Sequence, residues 1–306
     1  MKNNMVRQCI LPLLTAMIWG TAFVFQSKGA QTIEPLTFNM LRSLVAALFL
    51  GVLLLIRRLW RAVGRGGAEA DGAPARGNTK MLLLGGFCCG TALAVASFFQ
   101  QTGLGQTSPD KGAFITALYV VLVPVLGLFF GKKVGAVLWV SVILAVAGLY
   151  FLCIGGPMGV ALSDLYVLAC AFCFAGQILI IDHFTQHVDG VALSFVQFVV
   201  VTVESAIGML IFESPSVPAI MAGIGSVLYV GIFSSGVAYT LQILSQKGTN
   251  PTIVSLLFSL ESLFATVATV LMLGQWMSDR EMLGAALMFV AVMLPYVRLE
   301  RKKRTS

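Results

Sequence analysis

Ten stretches of this 306-residue chain are each long and apolar enough to cross a bilayer, which leaves the polypeptide few alternatives. A hydrocarbon core of about 30 Å takes about 20 residues of helix. Candidate spans lie at 9–27, 35–56, 81–101, 112–131, 134–153, 163–181, 191–212, 223–244, 251–273 and 281–297. Backbone N–H and C=O groups find no water inside a membrane, so spans of this kind close their own hydrogen bonds as helices. The expected fold class is an all-α membrane protein with ten transmembrane helices. Charged residues make up 11% of the chain, against about a quarter in soluble domains. The short connections leave no room for a separate catalytic domain.

Residues 1–27 open with Lys2 and Arg7 ahead of an apolar run, as a signal peptide does. The run is long and no A-x-A cleavage pattern follows, so it reads as a retained first helix. Charge then orients the chain. With the N-terminus inside, 16 of the 20 Lys and Arg fall in inside connections. Lys28, Lys111 and Arg280 fall outside, and Arg42 falls within a span. That asymmetry places both termini in the cytoplasm of a plasma or inner membrane and asks for an even number of spans. Its basic segments, including Arg298 to Arg304, are expected to meet anionic lipid rather than nucleic acid. Residues 57–80 form a flexible cytoplasmic loop by composition, with Gly64 to Asn78 rich in Gly and Ala.

The six cysteines sit in spans and imply no disulfide framework; Cys170 and Cys173 read as small packing residues. Asp182, His183, His187 and Asp189 read as a solvated connection between helices 6 and 7. No zinc, nucleophile-elbow or phosphate-loop pattern is present, so no enzyme, cofactor or metal is expected.

The chain also overlays on itself. Helices 1 and 2 align with helices 6 and 7 so that Trp19 falls on Phe174, Glu34-Pro35 on Asp189-Gly190, and Arg42 on Gln197. Helices 3 and 4 align with helices 8 and 9, bringing Gln100 onto Gln242, Ser108-Pro109 onto Asn250-Pro251, and Leu118-Tyr119 onto Leu260-Glu261. Repeats of five spans force the second half upside down relative to the first. Residues 1–154 and 155–306 are thus expected to form two inverted five-helix repeats, the second ending in a basic cytoplasmic tail, an arrangement common among secondary transporters.

Several segments resemble the EamA domains of the drug/metabolite transporter superfamily. Leu256-Leu-Phe-Ser-Leu-Glu-Ser-Leu-Phe-Ala265, Leu273-Gly274-Gln275 and Leu283-Gly-Ala-Ala-Leu287 look like the second domain. Ala16-Met-Ile-Trp-Gly20, Arg42 and Phe114 through Pro124 resemble the first. Ser262 stands where the family often has Pro, and Gln275 where it often has Glu. The resemblance implies a substrate cavity between two five-helix halves and export of small metabolites, commonly amino acids.

Charge within a span locates the candidate site, because it costs about 2.5–3.5 kcal/mol even on the mild insertion scale. Glu261 lies near the midplane, Glu204 and Arg42 nearer the outer end, with Asn39 a turn from Arg42 and Gln197 two turns from Glu204. Arg42 is placed to bind a substrate carboxylate, to pair with a Glu, or to snorkel. Trp19 and Gln26 share a face of helix 1 with Thr15 and Phe23; Tyr239 and Gln242 share one of helix 8 with Ser235. Tyr119 and Gln177 complete the candidate set. Ser255, Ser259, Ser262, Thr266 and Thr269 form a row on helix 9, turned away from Glu261 on a continuous helix and expected to pack. Gly86-x-x-x-Gly90 and Gly127-x-x-x-Gly131 are expected to be close-packing points. The function expected is export of a small polar or amphipathic metabolite by alternating access, with a proton exchanged at Glu261 or Glu204. Efflux of cationic drugs, a ligand-binding sensor without flux and an intramembrane enzyme are the alternatives; the last two lack, respectively, an output domain and a catalytic set.

Overall fold

The computed structural model describes residues 6–63, 79–107, 109–154, 161–273 and 276–305. The first five helices are α1 (Leu11–Ala30, preceded by a π turn, Val6–Ile10), α2 (Pro35–Val63), α3 (Thr79–Leu104), α4 and α5 (Ala136–Cys153). The second five are α6 (Leu162–Phe184), α7 (Gly190–Phe212), α8, α9 and α10 (Asp279–Thr305). Three of them are irregular. α4 breaks into α4a (Pro109–Ala117) and α4b (Tyr119–Phe129), and α9 into α9a (Pro251–Phe258) and α9b (Glu261–Leu273). α8 runs Val217–Tyr229, widens into a π-helix over Val230–Ala238, and resumes as Tyr239–Gln246. Among the described residues nine helices meet the length and hydropathy of a membrane span. α10 is the tenth long helix, apolar from Met282 to Val297.

Exposed Leu, Val, Ile and Phe cover the outer faces, as lipid requires, while polar side chains are turned inward. Short polar links fix the helix pairs. Glu213, just past α7, accepts the N–H groups of Leu36 and Thr37 at 2.7 Å each and the Thr37 hydroxyl at 2.8 Å. A carboxylate there both satisfies orphan donors of α2 and meets the positive end of its dipole. At the other end of the same helix pair, Arg57 stands 3.8 Å from Asp189. α2 and α7 therefore run antiparallel.

Several expectations change. α2 continues through Val63, so residues 57–63 of the expected loop are helical; residues 64–78 lie outside the described residues. Asp182 and His183 belong to α6 rather than to a solvated connection, and the Asp182 carboxylate is buried against Lys132. Asp189 is the N-cap of α7, accepting the Ala192 N–H at 2.9 Å. Gly86 and Gly90 do pack closely, against Val196 and Val200 of α7. Gly127 and Gly131 do not. Gly131 has φ +72°, and Lys132 N–H returns to Gly127 C=O at 2.9 Å, so this pair closes the end of α4b.

Candidate functional site: a buried polar cavity between the halves

The breaks in α4 and α9 create the centre of the molecule. At each, a tight turn with i→i+3 bonds replaces the α pattern: Leu118 N–H to Ile115 C=O at 3.2 Å, and Leu260 N–H to Leu257 C=O at 3.2 Å. Tyr119 and Glu261 are the first residues of the half-helices that follow. They occupy equivalent places in the internal repeat, and they touch. The Tyr119 hydroxyl donates to Glu261 Oε1 at 3.0 Å. Because α9 is broken there, Glu261 is not held to the continuous-helix phase that turns it away from the serine row. Ser255 and Ser259 spend their hydroxyls on the carbonyls of Thr252 and Leu256, three residues back.

Around this pair lies a cavity with about 430 Å³ of non-atom space, lined from α1, α2, α3, α4, α6, α8 and α9. Trp19, Gln26, Arg42, Tyr119, Gln177, Tyr239, Gln242 and Glu261 all line it. Except for half-buried Trp19, these residues are buried, Arg42 and Glu261 at 3% exposure each. Gly20 lets α1 deliver Trp19: a Cβ there would stand 2.6 Å from Glu261 O and 2.7 Å from Ala265 N. The Trp19 ring then meets those of Tyr239 and Phe258 at 4.9 and 5.2 Å.

Arg42 does not pair with a Glu. Its Nη1 donates to Gln26 Oε1 at 2.9 Å, its Nε has no partner, and among the described residues no carboxylate lies within 4.0 Å of it. Burial at 3% exposure also rules out snorkelling. Opposite, a chain of amides crosses three helices. Gln242 Nε2 donates to Gln177 Oε1 at 3.4 Å, and Gln177 Nε2 donates to Gln197 Oε1 at 3.2 Å, leaving Gln242 Oε1 unpaired.

Three candidates lie elsewhere. Gln197 stands behind Gln177 and does not line the cavity. Asn39 is fully buried with both amide atoms unpaired, also off the cavity. Glu204 is half-buried between α3 and α7, where it accepts the Thr91 hydroxyl at 2.6 Å. Phe23, Gln100, Thr116, Phe174, Ile178 and Ser234 join the lining without having been candidates. Ser234 lines the cavity where Ser235 was expected: in the π stretch of α8 the Tyr239 N–H bonds back five residues to the Ser234 carbonyl, and the wider turn changes which residues face inward.

The EamA-like transporter family matches residues 7–154 and 161–297, one domain in each half. The chain belongs to that family. A relative from Archaeoglobus fulgidus, described as an uncharacterized transporter, is 29% identical over 287 residues, 94% of this chain and 84% of its own length. A solved crystal structure superposes with TM-score 0.73 at 16% identity, covering 96% of this chain and 98% of that one. At that identity it speaks for the fold alone. The chain is a multi-pass membrane protein of a transporter family.

Proposed function

We propose that this EamA protein is a secondary transporter that exports a small metabolite bearing a carboxylate, amino acids being the best-fitting class. The observation that carries the reading is Arg42. A guanidinium keeps its charge at any physiological pH, and a buried charge demands an opposite charge or a full set of acceptors. Here it has one amide oxygen. A substrate carboxylate would supply what is missing. On the same cavity, Glu261 and the free Gln242 Oε1 offer acceptors to an ammonium group, while Trp19, Phe23, Phe174 and Tyr239 suit an apolar side chain.

Alternating access by rocking of two inverted five-helix halves fits a midplane site beside two discontinuous helices. Export is the direction that the EamA resemblance implies; both termini are cytoplasmic by the charge asymmetry, in a plasma or inner membrane whose anionic lipids meet the basic segments. Glu261, rather than Glu204, exchanges the coupling proton, because it alone of the two lines the cavity.

Counterflow in reconstituted vesicles tests the reading, with labelled amino acids, nucleobases and cationic dyes as the panel. Saturable counterflow of amino acids is expected. Flux confined to cationic dyes would move the assignment to drug efflux, and no flux of any member to a binding protein. In the same vesicles Glu261→Gln is expected to lose the response to a pH gradient while Glu204→Gln keeps it; the reverse order would overturn the assignment of the proton site.

A further inference from the structure

Two ion pairs close one helical seam at opposite ends. Lys111, at the start of α4, stands 2.6 Å from Asp164 near the start of α6; Lys132, just past α4b, stands 2.6 Å from Asp182 near the end of α6. The two helices are therefore parallel, one from each half of the chain. From Asp164 to Asp182 is about 27 Å at about 1.5 Å per residue, close to the hydrocarbon thickness of about 30 Å. The pairs thus sit at the two membrane faces, with the cavity residues Thr116, Tyr119, Phe174 and Gln177 between them on the same helices.

The related seam, between α1 and α9, is built differently. The alignment that puts Tyr119 on Glu261 puts Lys111 on Ile253 and Lys132 on Gly274, and the one that puts Phe174 on Trp19 puts Asp164 on Cys9 and Asp182 on Ser27. No charge survives. Instead the α9b backbone rests on Gly20. One seam is closed by backbone contact and the other by partly exposed lysines on buried carboxylates, and a lysine on its flexible stem swings out to water more readily than packed backbones separate.

A second pocket, about 210 Å³ of non-atom space, abuts the Lys132 pair and is lined by Val123, Gly127 and Leu179 with Asn250 and Thr252. Val123 is one turn from Tyr119, and Leu179 adjoins Ile178 of the main cavity. One helical turn separates the two spaces.

We propose that substrate passes between α4 and α6, with Lys132–Asp182 as the inner latch and Lys111–Asp164 as the outer latch, parted in alternation. This rests on the transporter reading of the cavity. The carboxylates are the fixed halves, 8% and 9% exposed, and the lysines the movable halves, 24% and 49% exposed. Asp164 is further held by the Ala161 N–H at 2.7 Å. The left-handed Gly131 turns the chain at the end of α4b and so delivers Lys132 to Asp182.

The test reads conformation without needing a substrate, so a failed flux assay leaves it decisive. Ser234→Cys, on the cavity wall away from the seam, is labelled with a membrane-impermeant maleimide from each face of oriented vesicles. Labelling is quantified on the peptide carrying residue 234, with the native cysteines retained. Lys132→Gln is expected to raise labelling from the inner face about threefold or more and lower it from the outer; Lys111→Gln should do the opposite. The exchanged pair Lys132→Asp with Asp182→Lys should restore the parent pattern. Shifts in the same direction from both single variants, no shift, or an exchanged pair that stays shifted would overturn the proposal. If the exchanged pair does not accumulate in the membrane, the two single variants decide it.

Discussion

Arg42 was conspicuous in sequence as the one basic residue inside a span, but its partner was not. Gln26 shares the candidate face of helix 1 with Trp19, but it is uncharged, sits 16 residues earlier on a neighbouring helix, and carries no signal that ties it to Arg42. The same blindness hides Thr116, Phe174 and Ile178 as lining residues, which look like packing residues until the helices are assembled. An incompletely paired buried cation leads to a prediction that separates function from stability. Replacing Arg42 by Met removes the desolvated charge and keeps much of the volume, so the apparent melting temperature in detergent should hold or rise. Substrate affinity should fall about 10- to 100-fold, since a hydrogen bond to a charged group contributes about 1.5–3 kcal/mol. Arg42→Lys should not restore it, because an ammonium cannot reproduce the planar fork. A large drop in melting temperature with affinity retained would make Arg42 a structural residue.

At the level of helices, spans were legible and their interruptions were not. Periodicity and length report where an apolar helix runs, whereas the breaks at Leu118 and at Ser259-Leu260 involve residues that form regular helix as readily as any neighbour. Pro124 lies inside α4b without marking the break. The π stretch of α8 likewise leaves no residue signature, and it shifts the lining from Ser235 to Ser234. What the sequence did carry was Gly20, whose role becomes physical only with α9b in place. Gly20→Val would put a branched side chain into the backbone of Glu261 and Ala265. Overpacking of this kind costs about 1–3 kcal/mol, so the apparent melting temperature should fall by several degrees, with Gly20→Ala intermediate. Equal thermal stability for all three would contradict the close approach of α1 to α9b.

For the molecule as a whole, the links at helix ends bear on topology independently of charge counting. α2 and α7 occupy equivalent places in the repeat and run antiparallel, with Glu213 capping the start of α2 and Arg57 meeting Asp189 at the start of α7. Equivalent helices of opposite direction are what an inverted repeat requires. α4 and α6, two places apart, run parallel, as a single crossing by α5 between them demands. With these directions fixed, the asymmetry of Lys and Arg decides only which face is inside. The native lysines can report it without any substitution. An impermeant amine reagent applied to right-side-out vesicles should modify Lys28, exposed in the last turn of α1, and spare Lys80, Lys133 and Lys247; lysing the vesicles should expose those three. Modification of Lys28 and Lys80 from the same face would break the crossing of α2 and with it the antiparallel halves. Modification of the latter three alone would keep the fold and invert its orientation in the membrane.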